Sequence, residues 1–303
     1  MQSKQHLKKV INFERELKGP CAYDRYNTIS KICQTRYLNL IRIQSSILIL
    51  IALASSFSMI SVQKEIYLRY FLIVLSILTL SVIIYQQNKN YMKGWQNARF
   101  IAESVLSNSW LFSFKIGAYN AREKEAKNSF IDNVDKIEKE VDLKTFYSIF
   151  DSNLPTIADW MQDLFNDLNI ANKKSFYIQH RLNDQIDWYS KKSQLNRRQA
   201  HLWFLFSISI LFSGIVLTLF IPLTQFSALG FFTTATSTLL TWRQTKRFDE
   251  LKITYAVAAK ELHSLKSKFE LENDENDILQ FVEEAEKSIS REHKLWFNWT
   301  YIT

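Results

Sequence analysis

A run of 41 consecutive residues, Leu202 to Trp242, contains no Asp, Glu, Lys, Arg or His. A membrane-spanning helix needs about 20 apolar residues to cross roughly 30 Å of hydrocarbon, so this run has the length of two spans. Pro222, Thr224 and Gln225 interrupt the run near its middle, which predicts helices at 202–221 and 227–242. A connection this short joins antiparallel neighbours. The run therefore predicts a transmembrane hairpin.

A second pair of uncharged segments lies nearer the N-terminus. Residues 43–62 and 70–88 carry no charged side chain, and the loop between them holds Lys64, Glu65 and Arg69. Most Lys and Arg near the four predicted spans lie at the ends away from the two hairpin tips. Since cytoplasmic flanks are rich in Lys and Arg, we predict an all-α integral protein of the inner membrane. It has two transmembrane hairpins, long cytoplasmic helices and both termini in the cytoplasm.

The net charge of +8 follows the same pattern. Residues 122–170 and 249–303 each carry a net charge of −5, so the positive excess lies beside the apolar segments. Nucleic-acid-binding domains instead gather their basic residues on one face. We therefore expect the lipid bilayer as a partner and no nucleic acid.

The chain contains no recognisable catalytic or cofactor motif. The five Gly do not form a phosphate-binding spacing, and no His has a second His or Cys at ligand spacing. Cys21 and Cys33 fall on the predicted reducing side of the membrane, where disulfides are rare. We expect no catalytic site, no cofactor, no metal site and no enzymatic activity.

One polar pattern lies within the fourth predicted span. Small and hydroxylated residues recur there every three or four positions and form one stripe: Ser227, Gly230, Thr234, Ser237 and Thr241. Small residues let helices approach closely, whereas hydroxyls also line water. The stripe is therefore a candidate helix-packing seam or a candidate pore lining, and Gly214 and Thr218 of the third span are candidates to face it.

The helix that leads into the third span carries a second candidate site. We expect this helix to dock onto the tail around 283–296, with solvated charges as the alternative. The candidate docking residues are Arg181, Gln185, Trp188, Tyr189, Arg291 and Trp296. The aromatic residues of the remaining helices are expected to form a core between cytoplasmic helices.

Two motifs on either side of the long apolar run resemble the SLATT family. Residues 177–196 read YIQHRLNDQIDWYSKKSQLN, similar to the lead-in helix of that domain, and residues 281–296 read FVEEAEKSISREHKLW, similar to its end. Residues 95–104, WQNARFIAES, followed by Trp110, resemble the post-membrane helix of a sister subgroup. The resemblance implies a tandem protein with a SLATT-like module at 1–122, a helical connector at 123–172 and a SLATT module at 173–303.

The resemblance also implies a function. Families of this kind are thought to be bacterial membrane effectors in nucleotide-signalled or reverse-transcriptase-linked defence against phage, and to open pores. A homo-oligomer is expected, triggered by a cytoplasmic sensor protein or a signalling nucleotide. A non-conducting membrane anchor that holds a cytoplasmic partner is the alternative. A housekeeping channel or transporter is less favoured because no charged residue lies within a predicted span.

Overall fold

The computed structural model describes residues 19–57, 62–140, 155–221 and 227–298, and the side chains of all of these except 62–64 and 290–298. Within these ranges the chain is helical and has no β-strand, which confirms the all-α prediction. The helices are α1 Cys21–Ser55, α2 Val62–Lys89, α3 Tyr91–Ser113, α4 Glu123–Lys139, α5 Asp159–Asn166, α6 Ile170–Tyr177, α7 Asn183–Phe220, α8 Ala228–Lys246, α9 Phe248–Leu271 and α10 Glu275–Asn298. A π-helix, Ile178–Leu182, joins α6 to α7.

In the part of the chain that the structure describes, three helical segments are long and apolar enough to cross a membrane: Cys21–Ser55, Glu65–Ser113 and Ile170–Phe220. Their most apolar stretches are mostly exposed, as lipid-facing helices require. Each is much longer than the apolar run inside it. In Cys21–Ser55 and Ile170–Phe220 a polar lead-in helix continues into the apolar run, and Glu65–Ser113 includes α3 after its apolar run. The helix at the fourth predicted span, α8, is not among these three, and its hydroxyl-rich sequence makes it less apolar.

The two halves of the chain repeat one order of elements. In each half a lead-in helix continues into the first apolar segment, a second apolar helix follows, and a further helix comes after it. A left-handed residue separates this further helix from the second apolar helix in each half: Asn90 (φ 45°) before α3 and Arg247 (φ 51°) before α9. Left-handed residues commonly end helices.

The described residues divide into two compact units, each built from both halves of the sequence. The first, called here the aromatic unit, comprises 19–34, 92–140, 155–186 and 261–298. Its core is a chain of ring contacts, including Trp110 with Trp160 (4.7 Å between ring centroids), Phe112 stacked on Phe165 (4.9 Å) and Phe269 stacked on Phe281 (4.1 Å). These residues are buried, so the prediction of an aromatic core between helices is confirmed.

The second unit, called here the apolar unit, comprises 35–57, 62–91, 187–221 and 227–260. Within it α7 packs closely on α8 at Gly214, where an added Cβ would lie 2.5 Å from the Cβ of Phe232. In the first hairpin the Gln86 amide donates to Gln44 Oε1 (3.2 Å). The ends of the two hairpins also meet, because the backbone N–H of Ser227 donates to the carbonyl of Ser56 (2.8 Å).

Candidate functional site

A buried ion pair joins the lead-in helix to the tail helix of the second half. Arg181 lies in the π-helix and its Nε and Nη2 donate to the two carboxylate oxygens of Glu286 on α10, at 2.9 and 2.8 Å. The hydroxyl of Tyr177 donates to the same carboxylate at 2.9 Å. The side chains of Arg181 and Glu286 are 2% and 1% exposed. Sequence reasoning predicted that Arg181 contacts the tail, and the structure brings it to Glu286.

Electrostatics keep Arg181 charged. Burial alone would lower the pKa of Arg181, but the Glu286 carboxylate outweighs burial and holds that pKa above its ordinary value. Burial, followed by the charge of Glu286, raises the pKa of Tyr177, so its hydroxyl remains a donor. Both oxygens of the carboxylate are satisfied. A paired, hydrogen-bonded charge is tolerated in a core, whereas either partner alone is not.

Two consecutive lysines a few residues before Arg181 in sequence each cap the end of a helix. Lys173 Nζ donates to the carbonyl of Ser113 at the end of α3 (3.2 Å). Lys174 Nζ donates to the carbonyl of Glu270 near the end of α9 (3.1 Å). A cation stabilises the negative end of a helix dipole. Lys173 is buried; burial, followed by the charge of Lys115, lowers its pKa to about 8.

The other candidate docking residues lie elsewhere. Trp188 and Tyr189 belong to the apolar unit and contact the ring of Tyr255 on α9, with centroid separations of 5.3 and 5.7 Å. Tyr189 is buried, and Trp188 and Gln185 are half-buried. The predicted partners Arg291 and Trp296 lie on α10, but their side chains are outside the described part of the chain.

The hydroxyl stripe lies on the outer face of α8. Gly230, Ser237 and Thr241 are exposed, and Ser227 and Thr234 are half-buried. The opposite face of the helix is buried through Ala228, Ala235 and Thr236. Gly214 contacts Phe232 rather than the stripe.

Two hydroxyls of the stripe donate hydrogen bonds within their own helix. Thr234 donates to the carbonyl of Gly230 and Thr241 to that of Ser237, each at 3.0 Å. Thr218 of α7 likewise donates to the carbonyl of Gly214 (2.7 Å). Each hydroxyl oxygen retains acceptor capacity for water or for a neighbouring helix. Among the residues that the structure describes, no group of three or more His, Cys, Asp or Glu is placed to hold a metal ion.

Comparison with known protein families identifies the family of this chain. Residues 177–296 match the SMODS and SLOG-associating 2TM effector domain 1, and residues 20–166 match the SMODS and SLOG-associating 2TM effector domain 3. The chain is a tandem SLATT protein. No curated protein and no solved structure matches it significantly.

The family assignment gives the buried contacts a place in the tandem protein. Tyr177, Arg181 and Glu286 all belong to the second SLATT domain, near the two ends of its match. Lys173 and Lys174 lie between the two matches, yet one caps a helix of the first domain and the other a helix of the second. The two compact units each contain parts of both SLATT domains. The tandem domains are therefore interwoven in space.

Sequence reasoning missed Glu286 as the specific partner and missed both capping lysines. Glu286 had a detectable signal, because it lies on the same helical face as the buried residues Val282 and Ile289 and a carboxylate there needs a partner. The lysines gave no such signal, since a helix cap supplied from a distant segment leaves no local pattern.

Proposed function

We propose that this tandem SLATT protein is a bacterial inner-membrane effector of antiphage defence that acts as an oligomeric pore. In this proposal α1, α2, α7 and α8 all cross the membrane, both termini are cytoplasmic, and the protein performs no catalysis. A cytoplasmic sensor protein or a signalling nucleotide provides the trigger. The membership in a two-span effector family and the three long apolar segments support the membrane part of this proposal.

The main observation that supports a pore is the outward orientation of the stripe on α8. The chain fills the alanine face of this helix with its own residues but leaves Gly230, Ser237 and Thr241 exposed. Lipid offers no hydrogen-bond donors to these hydroxyl oxygens, whereas water does. Four helices are too few to enclose a wide water path, so several copies must place their α8 stripes around a common axis.

Leucine substitutions in the stripe test this proposal. Thr234→Leu/Ser237→Leu removes two hydroxyls from the stripe, and a hydrated path would become an apolar constriction that resists wetting. The variant should insert normally because lipid tolerates Leu. Thr233→Leu is the matched control, because Thr233 is an exposed residue of the same helix outside the stripe, with the same hydroxyl bonded within the helix.

Cells that overexpress the wild type or the control should depolarise, and cells that express the double variant should not. Crosslinking of intact cells measures the oligomer in parallel. Loss of the oligomer in the double variant would instead identify the stripe as a packing seam between copies. Depolarisation by the double variant at the wild-type level would refute a pore lining on this face.

The proposed topology has its own test. Reporter fusions after residues 20, 130 and 303 should read cytoplasmic, because Lys and Arg flank that side of the spans. A fusion at residue 224 should read periplasmic. A periplasmic signal at 130 would remove the four-span arrangement, and a cytoplasmic signal at 224 would show that α7 and α8 do not form a transmembrane hairpin.

A non-conducting anchor remains the second candidate because the aromatic unit carries an open groove. It has a volume of about 490 Å³ and mixed-charge walls, formed by Lys115, Ile116, Gly117, Asn120, Leu279, Gln280, Glu283, Glu284 and Lys287. Such a lining suits a polar segment of a partner protein. A wild-type protein that copurifies stoichiometrically with a neighbouring gene product and never depolarises cells would favour this function.

A further inference from the structure

Three cationic side chains from three different helices lie within electrostatic range in the apolar unit, where Arg42 and Lys192 both act on Lys246. Arg42 of α1 and Lys246 of α8 both lie against the ring of Trp242, with their charged groups 5.2 and 5.7 Å from its centroid. Lys192 of α7 lies 5.7 Å from the ring centroid of Trp188. We call Arg42, Lys192 and Lys246 the cation cluster.

The members of the cation cluster repel one another. Lys246 is half-buried, and burial, followed by the charges of Arg42 and Lys192, lowers its pKa. Among the described residues, no carboxylate forms an ion pair with any of the three. The acidic residues nearest to Lys246 in sequence already have partners, because Asp249 pairs with Arg243 and Lys252, and Glu250 pairs with Arg247. The acidic residue nearest to Lys192, Asp187, pairs with Lys191.

Such an arrangement is favourable only when an anion neutralises it. Three neighbouring positive charges without a counter-ion repel one another, which costs free energy. The tryptophan rings offset only part of this cost through cation–π contacts. The cluster also lies at the level of two neighbouring tryptophans, Trp203 and Trp242, whose ring centroids are 6.4 Å apart. Tryptophan rings favour the headgroup level of a bilayer. An anion supplied at that level is a lipid phosphate.

We propose that the cation cluster binds the headgroup phosphate of an anionic phospholipid. The phosphate oxygens accept from Arg42, Lys192 and Lys246, and the Trp242 ring packs against the glycerol or the first methylenes. Basic pockets between membrane helices bind anionic headgroups in this manner. The inference does not depend on pore formation, since an anchor and a pore both require a defined position in the lipid.

Lipid binding to the purified full-length protein tests the proposal. The protein in neutral detergent is titrated with phosphatidylglycerol or with phosphatidylcholine, and native mass spectrometry counts the bound lipids. Phosphatidylglycerol should bind more tightly. Lys192→Gln/Lys246→Gln should weaken its binding about 25-fold, from about five-fold for each lost cation.

The matched control is Arg197→Gln/Arg198→Gln, which removes the same charge from exposed positions of α7. It should change binding less than three-fold. If the cluster variant fails to fold, Arg42→Gln replaces it, because Arg42 is exposed; we expect about five-fold weaker binding there.

Three results would overturn the proposal. The first is equal affinity for the two lipids, and the second is equal weakening in the cluster and control variants, which would indicate general charge attraction. The third is competition by inorganic phosphate at concentrations matching the lipid phosphate, which would identify a free-anion site instead of a lipid site.

Discussion

Replacing Glu286 with Gln removes the charge that accepts hydrogen bonds from the buried side chains of Arg181 and Tyr177. Gln keeps nearly the same volume and one acceptor oxygen, so the change tests charge rather than packing. Arg181 is 2% exposed and would be left as a buried cation without its ion-pair partner, with only the longer-range charge of Glu103 beside it. Breaking a buried pair from one side costs about 3–5 kcal/mol. In a domain of 150 to 250 residues this lowers Tm by about 6–20 °C.

Thermal unfolding in neutral detergent, followed by tryptophan fluorescence, measures this effect. Glu284→Gln is the control, because Glu284 is an exposed carboxylate of the same helix and its loss should change stability by less than about 0.5 kcal/mol. The double variant Arg181→Met/Glu286→Leu should recover most of the loss, since no charge stays buried. A Glu286→Gln protein that melts within 2 °C of the wild type would refute the assignment of a desolvated, structurally required pair.

Three further outcomes follow from the packing and the pKa shifts. Burial lowers the pKa of Lys173 from its ordinary value of 10.5 to about 8 in the folded chain. Between these two pH values the unfolded chain binds more protons than the folded chain, so the free energy of unfolding rises with pH. Chemical denaturation at several pH values should show that Lys173→Met flattens this rise. Gly214→Ala places a Cβ 2.5 Å from that of Phe232 and should cost about 1–3 kcal/mol, whereas Ser213→Ala at an exposed position should be neutral. Tyr189→Ala should destabilise the protein by about 3–5 kcal/mol. It should destabilise it more than Trp188→Ala, because Tyr189 is fully buried and Trp188 is half-buried. A lower melting temperature for Trp188→Ala than for Tyr189→Ala would contradict the ring packing around Tyr255.

Local sequence patterns predicted the elements well, because charge-free length and helix caps act on neighbouring residues. The absence of charge between Leu202 and Trp242 predicted α7 and α8. Asp274 lies just ahead of α10, where its carboxylate accepts a hydrogen bond from the N–H of Asn276, as a residue that caps a helix start does. The motifs at 177–196 and 281–296 were sufficient to predict the second SLATT domain.

Long-range pairing was largely invisible in the sequence. The resemblance implied two successive modules, and it gave no sign that each compact unit would contain parts of both halves. Contacts such as that of Lys173 with Ser113 span 60 residues. The sequence showed the stripe in α8, but it did not show which face of α8 the rest of the chain would bury. That choice depends on how Phe232 packs against Gly214. The cation cluster was missed for the same reason. Its three members come from three separate helices.

Ion flux through liposomes that contain the purified protein tests pore formation directly. Vesicles of phosphatidylglycerol and phosphatidylcholine are loaded with potassium, and a voltage-sensitive dye follows the membrane potential after the protein is activated by its genomic partner or by high surface density. We expect potassium release by the wild type and by Thr233→Leu, and no release by Thr234→Leu/Ser237→Leu. Wild-type protein that inserts, oligomerises and leaves the vesicles sealed under both conditions would contradict it.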